Sequence, residues 1–188
     1  MNKCPAGYSK VTRALANWLR NAREIVVMGI GNPMRRDDYV GMVVVRHLKA
    51  YTLPGVHLIE TGEVPESYLG VVEENHPSHV LMIDAAEMSE QPGTARLVSP
   101  KEIEGLSLST HTLPLSTISE YIKCRTGAKI ALFAIQPGVL EFGEGLSEEL
   151  SKVVEELANL VVDAVRLSRR KRVRRPRQLK RVQKRSVR

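Results

Sequence analysis

Two hydrophobic patterns alternate along the chain. Apolar runs of strand length predict strands that are buried on both faces of a sheet. These runs are residues 24–32 (EIVVMGIGN), 56–61 (VHLIET), 78–86 (SHVLMIDAA) and 128–136 (AKIALFAIQ). The short segment 94–99 (TARLVS) follows the turn sequence QPG and is interpreted as an edge strand, antiparallel to its neighbour.

Segments with helical spacing of apolar residues separate these runs. They predict helices over 9–22, 39–51, 66–74 and 114–125, and a last helix that begins after Ser147 as its N-cap. Residues 101–113 are rich in polar residues and are expected to form mostly loop. Alternation of strands and helices predicts an α/β fold, a mainly parallel twisted sheet of about five strands with helices on both faces.

Composition excludes several classes of protein. Apolar residues make up 43% of the 188, but no apolar run reaches 18 residues, so we predict no membrane span. The N-terminus lacks the apolar region of a secretory signal. Cys4 and Cys124 are the two cysteines of the chain, too few for a disulfide framework. A reducing, cytoplasmic location is therefore expected.

The net charge of +7 conceals a division of the chain into an acidic and a basic part. Residues 166–188 hold 13 of the 28 Lys and Arg residues and no acidic residue, so the remainder has a net charge of −6. We predict an N-terminal helical extension (1–22), an α/β domain (23–168) and a basic, disordered tail (169–188). Such a tail is expected to bind polyanions weakly, with an affinity that falls as salt is added.

Three side chains are candidates for chemistry. Asp38 ends the glycine-containing turn after the first strand, although an Asp at that position also suits a helix cap. Asp84 ends the segment VLMID within the third apolar run, and His111 lies in a later polar segment. Ligands of doubly wound folds bind at the carboxyl ends of the strands, so these three can meet there. Two carboxylates and an imidazole suit nickel, zinc or manganese, and do not choose among them.

Six segments, in order, resemble one protein family. They are GIGNPMRRDDYVG, IETGEVPES, LMIDAAEM, PGTARL, STHTLPLS and IQPGVLEFGEGLSEE. They are similar to the hydrogenase maturation endopeptidases, in particular the archaeal branch, over residues 25–167. The resemblance implies a three-layer sandwich of the phosphorylase/hydrolase-like type.

The resemblance also implies an activity and a partner. Family members remove a C-terminal extension from the large-subunit precursor of [NiFe]-hydrogenase after its metal centre is loaded. The residues at the positions of Asp38, Asp84 and His111 contact the metal, which belongs to the substrate; no organic cofactor is implied. Many bacterial members have Glu at the Asp38 position and Gly at that of Tyr39. The sequence does not assign the general base, and it does not decide whether a metal-polarised water attacks.

Two other functions are weighed against this one. Peptidyl-tRNA hydrolases also have a strand followed by a G-x-G-N-P turn, but they need a catalytic His soon after it. Here RRDDYVG occupies that stretch, and the next His is His47 in a predicted helix. A metal-binding assembly chaperone for hydrogenase could use the same three residues without cleaving its partner.

Overall fold

The fold is built on a mostly parallel sheet with one antiparallel edge. The computed structural model describes residues 6–103, 107–108 and 113–173. The spatial order of the main strands is β2 (Val56–Gly62), β1 (Ile25–Ile30), β3 (His79–Glu87), β6 (Lys129–Ile135) and β4 (Ala95–Val98). Neighbouring pairs are parallel except β4 with β6, and the short β5 (Ser107–Leu108) pairs antiparallel with β3. The predicted antiparallel edge strand is therefore confirmed.

Helices cover both faces of this sheet. On one face α1 (Ala6–Trp18), α2 (Val40–Leu48) and α6 (Glu148–Val173) share a hydrophobic core with the strands. On the other face α3 (Leu69–Glu74) and α5 (Leu115–Thr126) form a second core. Successive strand residues alternate between the two cores: Val27 and Leu81 pack on the first, and Val26 and Met82 on the second. The predicted α/β sandwich of three layers is confirmed.

The prediction that residues 101–113 form mostly loop was partly wrong. Pro100–Ile103 forms the short helix α4, and Ser107–Leu108 forms β5. The first helix also begins earlier than predicted and ends at Trp18. Ser147 does cap α6, since its Oγ accepts a hydrogen bond from the Leu150 N–H at 3.3 Å.

Helix α1 packs against α6 and places Leu15 and Leu19 in the first core. Helix α6 continues to Val173, and the rest of the predicted basic tail lies outside the described residues. The predicted domain boundaries and the binding of polyanions stay predictions. Of the helices that the structure describes, none has the length and apolar character needed to cross a membrane.

His79 connects α1 to the sheet. Its buried Nε2–H donates to the carbonyl oxygen of Trp18 at 3.1 Å, and its ring meets the Trp18 ring edge-on with centroids 5.0 Å apart. Burial lowers the pKa of His79, and the positive charge of Lys129 lowers it further, against a smaller raising effect of the hydrogen bond to Trp18. The folded protein therefore favours the neutral form of this imidazole over the charged form.

This burial predicts a pH dependence of stability. Because the pKa of His79 is lower in the folded than in the unfolded chain, its contribution is complete above the unfolded value of about 6.5. It is lost as the pH falls below that value and through the folded-state pKa. Urea unfolding of the wild type and of His79→Gln at pH 7.5 and 5.5 measures this contribution. We expect the advantage of the wild type to shrink at pH 5.5; an advantage that is constant or larger there contradicts the assignment.

Candidate active site

A sharp turn follows β1 and folds back on the backbone of Asp38. Gly31 in this turn has a φ of +137°, and a Cβ there would lie 1.7 Å from the carbonyl oxygen of Asp38. Only glycine permits so close an approach in this conformation. The chain then forms a 3₁₀ turn (Arg36–Tyr39) that leads directly into α2.

The Asp38 carboxylate is buried with one of its oxygens unpaired. The residue is 2% exposed, and its Oδ2 accepts a hydrogen bond from the Asn32 N–H at 2.9 Å. Its Oδ1 is inaccessible to solvent and has no hydrogen-bond partner among the described residues. A buried, unpaired carboxylate oxygen costs about 1–3 kcal/mol, so its presence points to a ligand or substrate group that completes it. Both a metal cation and a hydrogen-bond donor fit such an oxygen.

Asp38 is not a helix cap, which was the alternative interpretation of the sequence. The N-cap position of α2 is Tyr39, and no side chain caps the helix there. The carboxylate of Asp38 instead fixes the turn through the backbone of Asn32. Asn32 orients the same turn, because its side chain accepts from the Met34 N–H and donates to Glu63.

Asp84 was predicted to end its strand, but β3 continues for three residues beyond it, to Glu87. Asp84 is fully buried, and its Oδ1 accepts a hydrogen bond from the Ala85 N–H at 2.9 Å. Pairing of β3 with β1 ends at Ile83 opposite Gly29, one residue before Asp84. Asp84 therefore stands next to the point where β1 gives way to the turn that carries Asp38.

A close contact between α2 and the sheet brings the two carboxylates to one edge. A Cβ on Gly41 would lie 2.1 Å from the carbonyl oxygen of Ile83 and 2.4 Å from that of Ile30. The first turn of α2 thus rests on the ends of β1 and β3. Asp38 precedes Gly41 by three residues and Asp84 follows Ile83 directly, so both lie at this edge of the sheet.

His111, the third predicted residue, lies outside the described residues. Its described neighbours along the chain are Leu108 and Leu113. Leu108 pairs with Ala86, which is two residues after Asp84 on β3. The proximity of His111 to the two carboxylates stays a prediction.

Asp37 has a structural role that the sequence did not predict. It is fully buried; its Oδ2 accepts from the N–H groups of Gly138 and Val139, both at 2.8 Å, and its Oδ1 accepts from the Ser147 N–H at 2.7 Å. It therefore connects the turn that carries Asp38 to the segment after β6. The neighbouring acidic pair Asp37–Asp38 was the visible signal, but partners about 100 residues away along the chain cannot be found by local pattern.

Glu60 and Thr61, at the end of β2, act within the fold. Glu60 accepts hydrogen bonds from Arg46 at 2.7 Å and Lys49 at 2.5 Å, both on α2. Partial burial raises the pKa of Glu60, but these hydrogen bonds and charges outweigh it and lower the pKa below its ordinary value. Thr61 donates to the carbonyl oxygen of Gly29 at 3.0 Å. These contacts favour a structural role at the strand exit over one lining a cleft.

Within the described part of the chain, which lacks His111, no group of three or more His, Cys, Asp and Glu side chains could hold a metal ion. The predicted three-residue set as a whole is therefore not tested.

Comparisons with known proteins agree on one family. A family model described as hydrogenase maturation protease matches residues 42–164, a range that contains Asp84 and His111 and begins four residues after Asp38. A relative in Methanocaldococcus jannaschii, named as a hydrogenase maturation protease, is 35% identical over 159 residues, 80% of this chain and 94% of that protein. The hydrogenase 3 maturation protease of Escherichia coli is 29% identical over 131 residues, which cover 69% of this chain and 83% of that protein.

Solved structures give the same result. The crystal structure of a [NiFe] hydrogenase maturation protease from Thermococcus kodakarensis superposes with a TM-score of 0.74 at 34% identity. The match covers 81% of this chain and 99% of that one. The solution structure of an endopeptidase from E. coli superposes with a TM-score of 0.65 at 25% identity, over 74% of this chain and 90% of that one. The chain therefore belongs to the hydrogenase maturation protease family, whose members are endopeptidases.

Proposed function

We propose that this protein removes the C-terminal extension of the nickel-loaded large-subunit precursor of a [NiFe]-hydrogenase. The observation that carries the proposal is the buried Oδ1 of Asp38, which has no partner among the described residues and lies at the same sheet edge as Asp84. Family membership supports the proteolytic activity, because related proteins are named as hydrogenase maturation proteases.

The nickel of the precursor is recognised as part of the substrate. Asp38, Asp84 and His111 are proposed to contact it, with carboxylate oxygens and an imidazole nitrogen completing the coordination of an ion that the precursor already holds. A borderline divalent ion accepts such mixed ligands. An empty or wrongly loaded precursor would lack this contact, so cleavage would follow only correct loading.

Contact with the nickel also positions the peptide for hydrolysis. Binding of the nickel at one fixed point holds the scissile bond close to the carboxylates, so that hydrolysis proceeds within the complex. A water molecule attacks the peptide carbonyl, and a carboxylate of the site takes its proton as general base. The proton is then available for the leaving amine. The low exposure of both Asp side chains limits access of bulk water to this step.

A direct test compares nickel-loaded with metal-free precursor. The purified protein is incubated with each form, and the products are measured by intact mass spectrometry. We expect the loaded precursor to lose a mass equal to its C-terminal extension, and the metal-free precursor to stay intact.

Other outcomes would contradict separate parts of the proposal. Binding without cleavage would indicate an assembly chaperone. Equal cleavage of both precursor forms would support the protease activity and contradict the recognition of nickel.

Membership of the protease family speaks against a peptidyl-tRNA hydrolase. A cytoplasmic location, expected from the two cysteines, belongs to the same proposal.

A further inference from the structure

Residues 138–147, here called the clamped loop, are fixed against the turn that carries Asp38. The buried Asp37 accepts three backbone N–H bonds from this loop, and the Asp37 N–H donates to the carbonyl oxygen of Val139 at 3.0 Å. Hydrogen bonds that several backbone N–H groups donate to a buried carboxylate are strong and directional. Both the side chain and the backbone N–H of Asp37 therefore bond to the clamped loop. Asp37 is the direct neighbour of Asp38.

A second set of contacts fixes the middle of the clamped loop. The Gly143 N–H donates to the Met34 carbonyl oxygen at 2.8 Å, and the Arg36 N–H donates to the Gly143 carbonyl oxygen at 3.0 Å. The Arg35 guanidinium donates to the Leu140 carbonyl oxygen at 3.2 Å. Gly143 has a φ of +158°, and a Cβ there would lie 2.5 Å from the Nε of Arg36. The clamped loop and residues 34–37 thus form one ordered surface.

Apolar side chains project from this ordered surface into solvent. Phe142 is 80% exposed, the highest value among the large apolar side chains that the structure describes. Phe133, the other phenylalanine of the sequence, is fully buried. Met34, whose carbonyl oxygen accepts from the residue after Phe142, is 39% exposed, and Val139 of the clamped loop is 37% exposed. An aromatic side chain on a preorganised loop loses little conformational freedom on binding, which is the usual setting of an interface anchor.

We propose that Phe142, presented by the clamped loop with Met34 and Val139, binds apolar side chains of the precursor beside its scissile bond. This inference rests on the proposed function, because the partner that it names is the precursor that is cleaved in the site formed by Asp38 and Asp84. Continuity with the site supports this occupant: the clamped loop is tied to residues 34–37, which lead directly into Asp38. Asp37 is the positioning residue of this surface, and Phe142 is its main contact.

The test measures affinity and turnover separately for Phe142→Ala. The probe is the nickel-loaded large-subunit precursor, with Kd measured by titration and KM and kcat measured by cleavage. We expect Kd and KM to rise roughly 10- to 100-fold, the usual range for truncating an aromatic anchor, while kcat stays within about twofold. Phe142→Leu should recover most of the affinity. The thermal midpoint should not change, since Phe142 contributes little to the core.

Leu167→Ala is the matched control. Leu167 lies on α6 and is 38% exposed. Two residues later, the Arg169 guanidinium donates to the carbonyl oxygen of Pro54, which precedes β2. Leu167 is therefore near the amino ends of the strands, and Asp38 lies at their carboxyl ends. This variant should bind and cleave like the wild type. Wild-type Kd and KM in Phe142→Ala, or an equal loss in Leu167→Ala, would overturn the docking surface. Tight binding that depends on Phe142 without any cleavage would support the surface and refute the protease function, so the two failures are distinguishable.

Discussion

Asp38→Asn is expected to lower the rate of precursor processing by about 10³-fold or more, the scale on which a charged group that contacts the reacting centre contributes. The same change should leave the stability of the free protein unchanged or raise it by up to about 1 kcal/mol. The amide oxygen can still accept the Asn32 N–H bond, while the unpaired, buried charge is removed. Cleavage followed by mass spectrometry measures the first effect, and urea unfolding at neutral pH measures the second.

Asp37→Asn provides the control, because it makes the same chemical change at the adjacent residue. The carboxylate oxygens of Asp37 accept hydrogen bonds from three backbone N–H groups, and an amide would turn its NH₂ toward at least one of these donors. We expect this variant to lose about 2–4 kcal/mol of stability, as for a buried network in which one partner is lost. If Asp38→Asn destabilises the protein as much, or retains wild-type processing, then the Asp38 carboxylate is a structural group and the site assignment is wrong.

Much of the fold was predictable, because its elements have local causes. The runs that form β1, β3 and β6 each contain at least four consecutive buried apolar residues, and a strand buried on both faces needs such a run. The apolar stripe of α6 is local in the same sense, since it recurs within a few turns of one helix. Chain order and the right-handed crossover then place successive parallel strands in one sheet. The positions of Asp38 and Asp84 at the carboxyl edge follow from that topology.

The rest depends on contacts between distant parts of the chain. The partners of Asp37 are the N–H groups of Gly138, Val139 and Ser147, which are more than 100 residues away along the chain. Strand β5 exists because Ser107 and Leu108 pair with the end of β3, although their own sequence is that of a loop. Local propensity cannot reveal such pairings, since tertiary contacts decide them.

Gly41→Ala is expected to destabilise the protein by about 3–5 kcal/mol or to prevent folding, as severe overpacking against the backbone does. The added methyl would lie 2.1 Å from the Ile83 carbonyl oxygen and 2.4 Å from that of Ile30, distances that real Cβ atoms do not show. Neither carbonyl is the end of a flexible side chain, because both belong to central strands of the sheet. Relief would require α2 to move outward, and Asp38 would then move away from Asp84. Urea unfolding measures the loss of stability, and cleavage of the loaded precursor measures the loss of activity.

Gly70→Ala makes the same substitution where nothing opposes it. Gly70 lies in α3, and a Cβ there meets no other atom within 4 Å. Alanine favours the helical conformation, so this variant should gain about 0.5–1 kcal/mol and process the precursor normally. Opposite signs for the two glycines would show that the backbone contact of Gly41 is responsible, and not glycine's flexibility in general. A Gly41→Ala protein as stable as the wild type would mean that α2 does not rest on β1 and β3, and the argument that places Asp38 beside Asp84 would fail with it.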